Sequence, residues 1–200
     1  MIKISSIGII FFSQLIFSQT AKTQGYQKIP EVFEKAANSY PFITPNQDYD
    51  YWKVFTNDPD SEKAILYESQ TPEPMTILEP APKKGFFQKC LGDNCFHYII
   101  ACKNDQTKYF NTEQELVKFI GTVDNIGEAV LIANTYSFYI DSENFEAGSF
   151  RKDDDFFYLN TFRPERCDEV REKYFVTINR KNAKIKFERQ GVYTEKKTCN

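Results

Sequence analysis

Pro72, Pro74, Pro80 and Pro82 punctuate the stretch TPEPMTILEPAPKKG, residues 71–85 of a 200-residue chain. Each proline fixes its own φ, removes a backbone donor and pushes the residue before it out of the helical region. Neither a helix nor a central strand runs through such a stretch, so it reads as an extended connector and a boundary between two parts. The elements on each side are therefore read separately.

The first part opens on a leader. Met1-Ile2-Lys3 brings one positive charge, and Ile4–Phe17 is apolar apart from Ser5, Ser6, Ser13 and Gln14. A charged start, a short apolar run and a small residue at the cut describe a secretory signal peptide, with cleavage after Ser18 or after Ala21. The run is shorter than the roughly 20 apolar residues of a membrane span. No later segment is apolar for long enough, so no span is expected in the mature chain. The expected location is the periplasm or the outside of the cell. Next, IPEVFEKAANSYP (29–41) reads as a helix, with Pro30 in its first turn and Val32, Phe33, Ala36, Ala37 and Tyr40 on one face. DYWKVFT and KAILYES then read as a hairpin around NDPDSE.

In the second part, GFFQKC and CFHYIIACK read as strands around LGDN, followed by a short strand at KYFN. Thr112 and Glu115 form a capping box for a helix carrying Leu116, Phe119 and Ile120 and stopped by Gly121. Asp124 or Asn125 caps a second helix, IGEAVLIANTY, whose apolar residues cover most of its circumference and call for burial. Strands follow at SFYI and FFYLNTF, with DSENFEAGSFRKDD as the loop between them. In KYFVTINRKNAKIKFER, Phe175, Thr177 and Asn179 alternate with Tyr174, Val176 and Ile178, and NRKNA turns the chain back. The expected fold is α+β: an antiparallel sheet with two consecutive helices packed on one face, preceded by an N-terminal helix and hairpin. The expected organisation is residues 1–18 as signal peptide, 19–84 as N-terminal helix, hairpin and connector, and 85–200 as the α+β domain.

Composition narrows the function. Nineteen Phe and twelve Tyr fill a core and argue against disorder, while a net charge of −3 argues against nucleic-acid binding. Charge is uneven: ten acids against three lysines over residues 30–82, thirteen basic against nine acidic residues over 151–200. An exported chain places its cysteines under oxidising conditions, and Cys90, Cys95, Cys102, Cys167 and Cys199 make an odd number. Cys90 and Cys95 flank a turn and are the expected local pair, leaving Cys102 as the candidate free thiol, although any two of the three can pair. Cys167 and Cys199 lie at similar distances on either side of the turn near Lys181. Their bond would close a loop of about 30 residues and contribute roughly 3–4 kcal/mol.

Two chemical uses of this region compete with disulfides. Cys90, Cys95, His97 and Cys102 supply zinc-ligand types, but with four and six residues between the cysteines where structural sites usually have two to four. Cys95 and His97 share a strand face and resemble a nucleophile with its base, yet no third group orients the histidine. Asp153, Asp154 and Asp155, and Asp141, Glu143 and Glu146, are calcium-ligand types outside any EF-hand spacing. No serine elbow, zincin helix or phosphate loop is present. Tyr49, Tyr51 and Trp52, together with Phe55, stand beside acids as candidate contacts for a ligand.

The leader ending Phe17-Ser18-Gln19 resembles signal-peptide ends common in flavobacteria. The order of leader, proline connector, cysteine-bearing strands, paired helices and terminal hairpin resembles small exported proteins of unassigned function from that group; the resemblance implies no activity. The expectation is an exported, non-catalytic binding domain for a protein or glycan, with no cofactor. Its alternatives are a small exported hydrolase using carboxylates and an inhibitor or immunity-like protein.

Overall fold

The computed structural model describes residues 25–57, 64–69, 82–87, 95–164 and 170–195. The expected leader and most of the proline-rich stretch lie outside these residues. The fold is mixed α+β with two antiparallel sheets rather than one. The four-stranded sheet runs β3-β2-β4-β5, with β2 Tyr51–Thr56, β3 Ile65–Glu68, β4 His97–Lys103 and β5 Gln106–Phe110. The five-stranded sheet runs β1-β6-β7-β8-β9, with β1 Gln27–Lys28, β6 Ser149–Lys152, β7 Phe156–Pro164, β8 Val170–Asn179 and β9 Ile185–Glu195.

The two sides of the connector share both sheets. Strand β2 pairs with β4 from Tyr51↔Cys102 to Thr56↔His97, and β1 pairs with β6 through Gln27↔Phe150. Strand β2 also pairs with β3 as the anticipated hairpin, with a bulge between Val54 and Phe55. Turn chemistry accounts for the other hairpins. Asn104 and Asp105 both adopt positive φ in the two-residue connection of β4 to β5, a conformation these side chains tolerate. Between β8 and β9 the Asn179 carboxamide oxygen accepts from the Lys181 and Asn182 amides.

Both helices start as their caps dictate. Helix α1 spans Glu113–Ile120: Thr112 Oγ1 accepts from the Glu115 amide, and Glu115 Oε2 accepts from the Asn111 amide at 2.8 Å. Helix α2 spans Ile126–Asn134, and its cap is Asn125, with a complete capping box to Glu128. Helix α1 packs against β5 of the four-stranded sheet, and α2 against β8 of the five-stranded sheet. Residues 29–41 form no α-helix. Two 3-10 segments, Glu31–Glu34 and Ala36–Phe42, are separated by extended Lys35, lack side-chain caps and contain Pro41. Short i→i+3 turns suffice where no cap or i→i−4 ladder supports a longer helix. Phe33 and Tyr40 point inward while Val32 is exposed.

One further strand hides in the expected 141–154 loop. Gly148 lets the chain pass close to the segment before it: a Cβ there would sit 2.0 Å from the Asp141 carbonyl oxygen. Strand β6 then begins at Ser149. SFYI contributes only the bridge Tyr139↔Phe162 to the five-stranded sheet. A single main core joins Trp52, Val54, Ile99 and Ala101 of one sheet to Phe157, Leu159, Val176 and Ile178 of the other, with the inner residues of both helices between them. Phe55, Phe96, Tyr98 and Ile100 make a second buried cluster.

Candidate ligand-binding face

An antiparallel sheet that covers a core on one side ordinarily turns polar side chains outward on the other. Strands β7 and β8 obey this rule on the inner side: Phe157, Leu159, Tyr174, Val176 and Ile178 are buried. On the outer side they break it, because Phe156, Tyr158 and Phe175 are half-buried aromatic residues. Register builds two rows across that face: Arg151↔Tyr158↔Thr177↔Lys186 and Ser149↔Asn160↔Phe175↔Glu188.

Tyr158 sits at the centre of the face. The Arg151 guanidinium lies 3.7 Å from its ring centroid and 5.7 Å from that of Tyr26. The Phe175 ring stacks beside it at 6.1 Å, and Phe156 lies at 6.0 Å. Its hydroxyl donates to Asp153 Oδ2 at 2.9 Å. Partial desolvation, followed by this bond to a carboxylate, raises the Tyr158 pKa; the same bond is the main cause lowering that of Asp153. Asp153 also accepts from the Asp155 and Phe156 amides, which closes the β6–β7 turn.

Beside Phe175 the face dips into a cleft of about 460 Å³ lined by Tyr26, Phe145, Glu146, Asn160, Lys173, Tyr174, Phe175 and Gln190. The Lys173 ammonium meets Glu146 Oε2 at 2.7 Å. Asn160 donates through Nδ2 to the buried Ser149 hydroxyl at 2.9 Å, which orients its carboxamide. The wall carrying Phe145 is pinned at its base, where the Tyr193 hydroxyl donates to Asp141 Oδ2 at 2.5 Å. Partial burial and then that carboxylate push the Tyr193 pKa up to about 12.

The residues singled out by sequence lie elsewhere. Trp52 is only 5% exposed, packed on Tyr67 and Phe119, and Tyr51 is equally buried, its hydroxyl bonded to Glu68. Tyr49 stacks on Phe119. Trp52 is thus part of the main core and Tyr51 is buried, whereas Tyr49 is half-buried, with its hydroxyl bonded to the Gln47 carboxamide. Cys95 and His97 line a second cleft of about 390 Å³. His97 Nδ1 lies 2.5 Å from the hydroxyl of Tyr40. Complete burial holds Tyr40 protonated well above the ordinary tyrosine range, so a neutral phenol faces the imidazole, and the His97 tautomer sets which of the two donates. Cys95 is disulfide-bonded, and without a thiolate it is no nucleophile for His97 to activate.

Cys102 carries a free thiol. It lies five positions from His97 on β4, an odd separation that puts the two on opposite faces, so the zinc-ligand set does not converge. Cys90, Cys167 and Cys199, and with them the expected pairings Cys90–Cys95 and Cys167–Cys199, lie outside the described residues. The acidic runs shape turns: Asp141 accepts from the Glu143 amide, and Asp155 pairs with Lys181. Among the described residues no three His, Cys, Asp or Glu side chains are grouped to hold a metal ion.

No family model, curated protein or solved structure matches the chain. The outer aromatic face of the five-stranded sheet is the candidate site. A trace of it is present in the sequence, since Phe156-Phe157-Tyr158 and Tyr174-Phe175 place rings at both parities of a strand, where only one parity faces a core.

Proposed function

We propose that this chain is an exported, non-catalytic binding domain that takes a protein or glycan at the cell surface or in the periplasm, on the outer face of the five-stranded sheet. The observation that carries the reading is the group of half-exposed rings Tyr26, Tyr158 and Phe175 beside a cleft, on a face whose ordinary content is polar. Rigid aromatic side chains provide large contact area at low entropic cost, and here strand pairing fixes the backbone of Tyr158 and Phe175. The apolar leader and the disulfide-bonded Cys95 support an oxidising compartment. No helix among the described residues is long and apolar enough to cross a membrane.

A hydrolase is the second reading, favoured by Glu31, Glu34, Asp141 and Glu143 lining one cleft of about 370 Å³. Two of these carboxylates already hold loops: Glu34 accepts from the Ser142 amide and hydroxyl, and Asp141 from Tyr193. A broad hydrolytic screen of the mature chain separates the readings. The binding reading expects no turnover; robust turnover abolished by Glu34→Gln, Asp141→Asn or His97→Ala would overturn it.

A further inference from the structure

We infer that the cleft beside Phe175 is a saccharide subsite, in which a hexopyranose ring stacks on Phe175 while Asn160, Gln190 and the Glu146–Lys173 pair take its hydroxyls. The inference rests on the reading of the outer face as the ligand surface and names the chemistry of that ligand.

A pyranose has two kinds of surface: faces of C–H groups, and a rim of hydroxyls that both donate and accept. A matching site needs an aromatic plane and short polar groups around its edge. Phe175 supplies a ring without a polar atom, and Asn160 stands directly opposite it on β7. With Nδ2 held by Ser149, the Asn160 carboxamide presents Oδ1 as an oriented acceptor, and an oriented group loses less entropy on binding. Gln190, exposed on β9, adds a second amide at the rim.

The ion pair suits a ligand rich in hydroxyls. Charged residues are depleted at the centre of protein–protein interfaces, because covering them removes hydration that an apolar partner does not replace. Lys173 and Glu146 stand at the edge of the cleft, 2.7 Å apart, with the Glu146 side chain 68% exposed. A diol satisfies both at once, accepting from the ammonium and donating to the carboxylate, so a sugar keeps the pair solvated. The volume of about 460 Å³ falls within the usual range of small-molecule sites, roughly 300–1,000 Å³. Tyr158, stacked beside Phe175 and backed by Arg151, offers a second platform for the next residue of an oligosaccharide.

The test is affinity electrophoresis of the mature full chain through gels containing β-1,3-glucan, xylan, mannan or polygalacturonate, followed by calorimetry with oligosaccharides of any retarding polymer. The expected result is retardation by at least one polymer. Affinity should fall about tenfold or more in Phe175→Ala, fall less in Asn160→Ala, and persist in Phe175→Trp. Circular dichroism of each variant reports the fold separately. Two results overturn the saccharide inference: no retardation by any polymer, or retardation untouched by Phe175→Ala. If instead a protein ligand is bound and lost in Phe175→Ala, the outer-face reading stands and the saccharide inference alone fails. Binding of either ligand class that ignores Phe175, Tyr158 and Tyr26 removes both.

Discussion

The two sheets give one face each to a common core, and they differ in what the other face carries. On the four-stranded sheet, Phe55, Phe96, Tyr98 and Ile100 gather into a second buried cluster. On the five-stranded sheet, Phe156, Tyr158 and Phe175 stand half exposed among Arg151, Asn160 and Lys173. Aromatic residues are therefore packing material on one sheet and surplus to packing on the other. The lesson is that an aromatic residue signals a binding surface only after strand register has assigned its face. Trp52 illustrates the converse: flanked in sequence by tyrosine and lysine near several acids, it is a core residue held between Tyr67 and Phe119.

The contrast can be broken most forcefully at Trp52. Truncation of a buried aromatic removes its transfer energy and leaves a cavity, so Trp52→Ala should lower unfolding free energy by about 3–5 kcal/mol in guanidinium titrations. A loss below about 1 kcal/mol would show that Trp52 is not part of the core, and would restore it as a ligand contact.

A smaller effect is expected at Glu128, the fully buried carboxylate that joins α2 to the preceding loop. It accepts from the Thr44 and Asp124 amides at 2.7 Å each and from the Asn125 amide at 3.3 Å. Glu128→Ala strands these donors and should cost about 3 kcal/mol. Burial raises the Glu128 pKa above its ordinary value of 4.5, against the pull of those same amides. The native state then holds this proton more tightly than the unfolded chain does. The contribution of Glu128 to stability is greatest below pH 4.5 and declines as pH rises through the folded pKa. The difference in unfolding free energy between the parent and Glu128→Gln, measured from pH 4 to 7, should shift against the parent as pH rises; identical pH profiles would contradict it.

Local signals in the sequence were legible because they act over a few residues. The Thr112–Glu115 cap, the cap at Asp124 or Asn125 and the turn at Asn179 each depend on side chains within reach of their own backbone. The burial of α2 was legible for the same reason, since apolar residues surround its axis. What escaped was set by distant pairing. Strand β6 is short, charged at Arg151 and Lys152, and follows Gly148, so locally it reads as loop; its identity comes from β1 on one side and β7 on the other. The division of strands between two sheets depends on β2 meeting β4 across the connector, which no local pattern reports. The site was hidden by the same ambiguity: in Tyr174-Phe175-Val176 both parities are apolar, and only the register of β7 with β8 decides that Tyr174 faces inward and Phe175 outward.

The central claim, that the outer-face rings serve a ligand and not the fold, is tested most directly by the double variant Tyr158→Ala/Phe175→Ala. Guanidinium unfolding and polymer retardation would be measured on the same preparation. The account predicts an unfolding free energy within about 2 kcal/mol of the parent, well short of the Trp52→Ala loss, with retardation abolished. A loss of stability matching Trp52→Ala, with retardation intact, would contradict it.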